Sequence, residues 1–216
     1  NKLPHMLPEH QEWNKIVSNY GISNSDKIVI YDNSDVLSSC RCWYTFIFFG
    51  HNPSLVSVLD GGLFKWKKEN KVVTDKKTKI VNTNYSSVKN NHLVKTKKEI
   101  DNNIINKKFK VVDARSKNRF LGLEKEPRPG LRSGSIKNSF CLPFGELINK
   151  DDKTFKDKKF IKKKFEDVGI FNENNIVFSC GSGITAAVLA LAYSLINDKY
   201  SPTVYDGSWA EYGMIE

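Results

Sequence analysis

In the stretch "NNIVFSCGSGITAAVLALAY", Asn174 to Tyr193, a short apolar run ends at Cys180, two glycines follow within three residues, and an alanine-rich apolar segment begins. The pattern predicts a strand, a tight turn and the start of a helix. Backbone N–H groups in such a turn can converge on an anion. That anion is either a phosphate or the sulfur of Cys180 itself.

Read as phosphate chemistry, Gly181-Ser182-Gly183-Ile184-Thr185-Ala186 fits the spacing G-x-G-x-x-A, and Asp206 ends a later apolar run. This imitates a dinucleotide fingerprint. A dinucleotide fold, however, places the turn after its first strand, and only ten residues follow Asp206. The fingerprint also gives no role to a cysteine before the first glycine. A cysteine phosphatase needs an arginine six residues after its nucleophile to clamp the dianion, and that position is Ala186. The plainest alternative is a buried structural cysteine, because free Cys is among the most buried residue types. Its place argues for a nucleophile instead: where a strand meets a helix N-terminus, N–H groups and the helix dipole favour a thiolate.

The elements that hold this turn occur twice. "KIVIYDNSDVLSSCRCWYTFIFFG…SLVSVLDGGLFKW" (Lys27 to Trp66) and "NIVFSCGSGITAAVLALAYSLIND…SPTVYDGSWAEY" (Asn175 to Tyr212) each read as strand, loop, apolar helix, then a second strand ending in Asp-Gly and an aromatic residue. Asp32 lies 28 residues before Asp60, and Cys180 lies 26 before Asp206. The chain therefore reads as two copies of one α/β unit. Asp32 stands where Cys180 stands, so the first copy is a scaffold without a nucleophile. The second copy has a further strand, "FKVVDARS" (Phe109 to Ser116), well before its cysteine. The first copy has only 31 residues before Asp32. The expectation is a first copy lacking its opening elements, from a chain truncated at its N-terminus or part of a longer one. The polar stretch Thr74 to His92 reads as a connector.

Composition sets outer limits. The 216 residues are 39% hydrophobic and 27% charged, as in a soluble globular protein. No apolar run of membrane-spanning length occurs, and "NKLPHMLPEHQEW" lacks the apolar core of a signal peptide. The reading is cytoplasmic, without a membrane partner. The net charge is +10. Its lysines lie in scattered runs such as "KDKKFIKKKF" (Lys156 to Phe165), so solvated faces are favoured over a nucleic-acid surface. A positive field also suits a small anionic substrate. Cys40, Cys42, Cys141 and Cys180 include no C-x-x-C pair, and the histidines complete no zinc pattern. The four read as reduced thiols, with no metal.

"CGSGIT" (Cys180 to Thr185) resembles the active-site loop of the two-domain rhodanese family, most like its 3-mercaptopyruvate sulfurtransferase branch. "VVDARSKNRFLGLEKEPRPGLRSGSIKNSFCLPF" (Val111 to Phe144) and "YDGSWAEY" (Tyr205 to Tyr212) resemble the start and end of that family's catalytic domain. "HMLP" (His5 to Pro8), "SSCRCWYTFIFFGH" (Ser38 to His51) and "LDGGLFKW" (Leu59 to Trp66) resemble its scaffold domain. The resemblance implies an α/β chain of two rhodanese-like domains, each a mainly parallel sheet flanked by helices. They would span residues 1–80 and 93–216, with a linker at 81–92.

The same resemblance implies roles. Cys180 would accept sulfur, Ser182 would aid proton movement, and His5 would orient Ser182 from across the cleft. Arg119 and Arg128 would bind the carboxylate and carbonyl of 3-mercaptopyruvate, with Gly181, Gly183, Ile184 and Thr185 completing the loop. The family's aspartate, placed some residues before that histidine, has no position in this chain. The products would be pyruvate and a Cys180 persulfide, which passes its sulfur to a small thiol or a thioredoxin-like protein. No metal or organic cofactor is needed. Thiosulfate is the rival donor, and a non-catalytic binding module is the rival class. Without the resemblance, Arg119 and Arg128 would pair with Glu124 and Glu126 in a surface loop, and His5 would be idle. The loop after Cys180 carries no charge, which favours mercaptopyruvate, whose carboxylate lies several atoms from its sulfur, over the thiosulfate dianion.

Overall fold

The computed structural model of the protein describes residues 3–215; the outermost ends of the expected domain spans, residues 1–2 and 216, lie outside the described residues. The chain opens with helix α1 (His10–Asn19) and strand β1 (Ile28–Ile30), followed by α2 (Ser38–Phe48), β2 (Val56–Val58) and α3 (Gly62–Lys68). The second unit runs β3 (Val94–Lys95), α4 (Lys97–Asn106), β4 (Lys110–Asp113), α5 (Lys117–Phe120) and β5 (Phe140–Cys141). It continues with α6 (Lys158–Asp167), β6 (Ile176–Ser179), α7 (Ile184–Ser194), β7 (Val204–Tyr205) and α8 (Ser208–Tyr212). β1 and β2 form a parallel pair, and the other five strands form a parallel sheet in the order β3-β7-β6-β4-β5. The strand expected over Phe109 to Ser116 is shorter, Lys110–Asp113, although Ala114 N still donates to the Ser179 carbonyl at 2.8 Å.

The repeat seen in the sequence is a repeat in space. One offset of 148 residues relates Asp32 to Cys180, β1 to β6, α1 to α6, and His5 to Lys153. The last two share a left-handed backbone, φ 60° and 63°. Ile30 pairs with Val58 as Phe178 pairs with Val204. Leu63 N–H donates to the Asp32 carbonyl at 2.9 Å, and Trp209 N–H donates to the Cys180 carbonyl at 2.9 Å. At the position of the sulfur, the first unit supplies its own anion: Asp32 Oδ2 accepts from Ser39 N at 2.7 Å and from Ser38 Oγ at 3.0 Å. The N-terminus of α2 is thereby already satisfied by a carboxylate.

The two units meet through α2 and α7. α7 is apolar on nearly every side, so it is buried nearly all round. Ala186, Ala187 and Ala190 carry no side chain beyond Cβ, which lets α2 approach closely. Phe165, Phe178, Tyr193 and Tyr200 pack edge to face or tilted under α7, with centroids 4.8 to 6.2 Å apart. Val29 of β1 is 57% exposed, whereas its counterpart Val177 is 2% exposed under Ile100 of α4 and Val111 of β4. Among the described residues the first sheet has no counterpart of those elements. Residues 80–90 form no regular element yet lie against the first unit: Thr83 and Tyr85 bond to Ser18, Ser86 to Asn24, and Val88 to Phe49.

Candidate active site

Cys180 follows the last residue of β6 and is 2% exposed. Its Sγ accepts from Gly183 N at 3.1 Å and from Ser182 N at 3.5 Å, long but usual for sulfur. The turn can point two successive N–H groups at one atom because Gly183 adopts φ 83°, a conformation open to glycine at little cost. α7 then begins at Ile184, so the sulfur lies at a helix N-terminus. α8 holds the turn from behind. Ser208 Oγ accepts from Cys180 N at 3.2 Å, and Trp209 N and Ala210 N donate to the carbonyls of Cys180 and Gly181, both at 2.9 Å.

Ser182 is 5% exposed and lies between two residues remote in sequence. His5 Nδ1 is 2.9 Å from its Oγ, and Arg128 Nη2 donates to that Oγ at 3.2 Å. His5 belongs to the first unit, so the expected contact across the cleft is present. His5 itself has a left-handed backbone, φ 60°. Ile184 and Thr185 are half-buried in the first turn of α7.

The two arginines expected to hold substrate stand against the loop. A Cβ added to Gly181 would lie 3.1 Å from Arg119 Nη2 and 3.4 Å from Arg128 Nη1. The ion pair anticipated as an alternative also exists: Arg119 Nη2 contacts Glu126 Oε2 at 2.6 Å. Glu126 has a side chain only 1% exposed and also takes Arg115 Nη1 at 2.7 Å. Arg115 is held in turn by Asp113 at 2.7 Å and by the Trp209 ring, 4.4 Å away. The pairing therefore fixes Arg119 beside Gly181 rather than removing it from the site. The site is therefore more positive than the composition of the loop implies. The turn itself is neutral, but two guanidinium groups from the 119–128 segment place positive charge next to it.

The other thiols differ in surroundings. Burial pushes Cys40 up to about 12, Cys42 up to about 11 and Cys141 up to about 12. Cys141 Sγ donates to the Arg115 carbonyl at 3.7 Å.

Sequence reasoning passed over Arg41 and Ser208, placed Glu126 in a surface loop, and took Asp206 as the end of a strand and part of an imitated fingerprint. Arg41 of α2 is 8% exposed and pairs with Asp206 at 2.5 Å. The available signal was a lone arginine inside the apolar run "CRCWYTFIFF", a cation that burial obliges to find a partner.

Comparison with known proteins agrees with this geometry. Residues 3–69 and 96–214 match the family described as the Rhodanese-like domain. The chain is 34% identical to thiosulfate/3-mercaptopyruvate sulfurtransferase 1, mitochondrial, of Arabidopsis thaliana, over 97% of this chain and 60% of that protein. It is 35% identical to 3-mercaptopyruvate sulfurtransferase of Mus musculus, over 97% of this chain and 70% of that protein. It is 36% identical to thiosulfate sulfurtransferase of the same animal, over 96% and 69%. The chain thus spans less than two thirds of the Arabidopsis relative, and similarity alone does not separate the two donors. Among solved structures, the 3-mercaptopyruvate sulfotransferase SseA from Escherichia coli superposes with a TM-score of 0.83 at 26% identity, covering 97% of this chain and 76% of that one. Both family matches lie on the two α/β units, the relatives align over nearly the whole chain, and the chain belongs to the rhodanese family.

Proposed function

We propose that the protein is a sulfurtransferase that moves sulfur from 3-mercaptopyruvate to a thiol through a persulfide on Cys180. The supporting observation is the convergence on one turn of a sulfur with two N–H donors, two guanidinium groups and a His5–Ser182 hydrogen bond. Arg128 and Arg119 would hold the donor's carboxylate and carbonyl. The Cys180 thiolate attacks the donor's sulfur, an S–S bond forms, and the C–S bond breaks with its electron pair leaving on carbon as the pyruvate enolate. The enolate takes a proton by way of Ser182 and His5. The N–H groups of Ser182 and Gly183 stabilise the charge on sulfur. An acceptor thiolate then attacks the outer sulfur, and Cys180 leaves as a thiolate. Each step balances without an oxidant or cofactor.

Thiosulfate is the second reading, supported by the positive charge that Arg119 and Arg128 place beside Gly181. Sulfite, unlike an enolate, needs no proton to leave, so the His5–Ser182 pair favours mercaptopyruvate. Side-by-side turnover with the two donors tests the order, by pyruvate release from one and sulfite release from the other. Faster pyruvate release is expected, and faster sulfite release with little pyruvate reverses the assignment. The acceptor is a small thiol or a thioredoxin-like protein, with no nucleic-acid partner. No helix among the described residues is long and apolar enough to cross a membrane. A cytoplasmic site belongs to the same proposal, and cell fractionation distinguishes it from the mitochondrial site in the Arabidopsis relative's name. The division at residues 81–92 is likewise proposed, since both family matches fall outside it.

A further inference from the structure

The first unit has no nucleophile, yet it sends a buried cation to the catalytic turn. Arg41 reaches out of α2 and contacts three acceptors. Its Nη2 pairs with Asp206 Oδ1 at 2.5 Å and donates to the His5 carbonyl at 2.9 Å, and its Nη1 donates to the Gly183 carbonyl at 3.3 Å. Asp206 completes the arrangement, because its Oδ2 accepts from Leu7 N at 2.9 Å. One ion pair therefore holds the backbone of the turn that cradles Sγ and the backbone on either side of Met6, next to the ring that meets Ser182. We propose that Arg41, with Asp206, is a positioning residue of the reaction, fixing Gly183 and His5 relative to each other across the boundary between the units.

The internal repeat argues that this pair serves the site and not merely the fold. In the helices and second strands the two copies run 146 residues apart, relating Asp60 to Asp206 and Arg41 to Ala187. The first unit keeps the aspartate-to-backbone bond: Asp60 Oδ1 accepts from Phe155 N at 2.8 Å, as Asp206 accepts from Leu7 N. The joint around Asp60 lacks the arginine, since Ala187 of α7 holds that place and is fully buried. The same joint is thus made twice, and a guanidinium is added only where the joint carries the cysteine turn. Gly183 is shaped around the pair, because a Cβ there would lie 3.1 Å from Arg41 Nη1 and 3.3 Å from Asp206 Oδ1. The plane of the guanidinium lets one side chain meet three acceptors at once, which an ammonium on a flexible stem does not reproduce.

The inference rests on Cys180 being the nucleophile, and the test separates the two. Arg41→Lys keeps a buried cation beside Asp206 but loses the fork, and Asp206→Asn keeps the shape but loses the charge. For each variant and for the double variant we would measure thermal melting, kcat and KM for 3-mercaptopyruvate, and the rate of Cys180 alkylation by iodoacetamide at one fixed pH. Cooperative melting is expected to persist. kcat and the alkylation rate should each fall about tenfold with KM within about twofold, because the donor's own contacts are untouched. The double variant should lose little more than either single one, as residues acting as a unit do. Unchanged or faster alkylation together with unchanged kcat in folded Arg41→Lys overturns the proposal. Loss of cooperative melting in both single variants also overturns it, since the pair then serves the fold itself. If the parent releases no pyruvate while alkylation still falls in the variants, the positioning role stands and the donor assignment fails.

Discussion

His5 Nδ1 and Ser182 Oγ lie 2.9 Å apart although 177 residues separate them in the chain. The contact joins the first unit to the turn that carries Cys180. In the proposed reaction it would give the leaving enolate a route to a proton that the turn alone does not supply. His5→Ala and Ser182→Ala are therefore expected to slow pyruvate release roughly ten- to a hundredfold, at or below the usual range for losing a proton-transfer group. Sulfite release from thiosulfate should change by less than about threefold in His5→Ala, since no proton is needed there. Parallel assays of the two donors check this, and an equal loss with both would mean that His5 acts only by holding the loop.

Arg128 donates to Ser182 Oγ and stands beside Gly181, whereas Arg119 is tied to buried Glu126. Arg128→Ala should lower kcat/KM for mercaptopyruvate about ten- to a hundredfold, the loss of one charge-assisted bond of roughly 1.5–3 kcal/mol. Because both guanidinium groups flank the loop, thiosulfate turnover should fall too, against the expectation from loop composition alone. Glu126→Gln is expected to raise KM by releasing Arg119 and to lower the melting temperature. The carboxylate serves two arginines, and its loss leaves buried cations short of a counter-charge. Steady-state kinetics with melting curves on the same samples separates the two effects.

Gly183 combines φ 83° with a Cβ position 3.1 Å from Arg41 Nη1 and from the Asp206 carbonyl. Gly183→Ala should destabilise the fold by about 1–3 kcal/mol through backbone strain and reduce sulfur loading more than Gly145→Ala, whose φ is not positive and whose Cβ position is open space. Denaturant unfolding compared across the two variants measures the difference.

The raised thiols set a pH dependence. Cys40, at about 12 in the fold against 9.0 for the free group, stays protonated where the unfolded chain would ionise. The folded state then binds more protons between those values, so this contribution is complete below pH 9 and is lost as pH rises toward 12. The parent should lose more stability from pH 9 to 11 than Cys40→Ala does, by denaturant unfolding at each pH. An identical slope in the two would contradict the buried, neutral thiol.

The cysteine turn, the repeat and the parallel sheets were legible because each rests on local pattern: apolar runs, glycines at a turn, and a second copy for comparison. The pairing of Asp32 with Cys180 holds down to the matching bonds of Leu63 and Trp209. What escaped was tertiary. Arg41 could be recognised as a buried cation, but its partner is 165 residues away, beyond any periodic signal. The Glu124 and Glu126 alternatives looked equivalent in sequence, and only packing shows Glu126 buried between two arginines while Glu124 is exposed and accepts from Ser116. The polar stretch before residue 92 resembles a free connector in composition, yet Tyr85 and Ser87 are buried against the first unit.

The central claim is that Cys180 carries the transferred sulfur. It is tested most directly by the intact mass of the protein after brief incubation with 3-mercaptopyruvate and removal of excess donor. One added sulfur atom is expected, localised to Cys180 by peptide mapping, discharged by a reduced thiol and absent in Cys180→Ser, while Cys40→Ser and Cys141→Ser load as the parent does. An adduct that persists in Cys180→Ser, or no adduct in the parent with either donor, would contradict it.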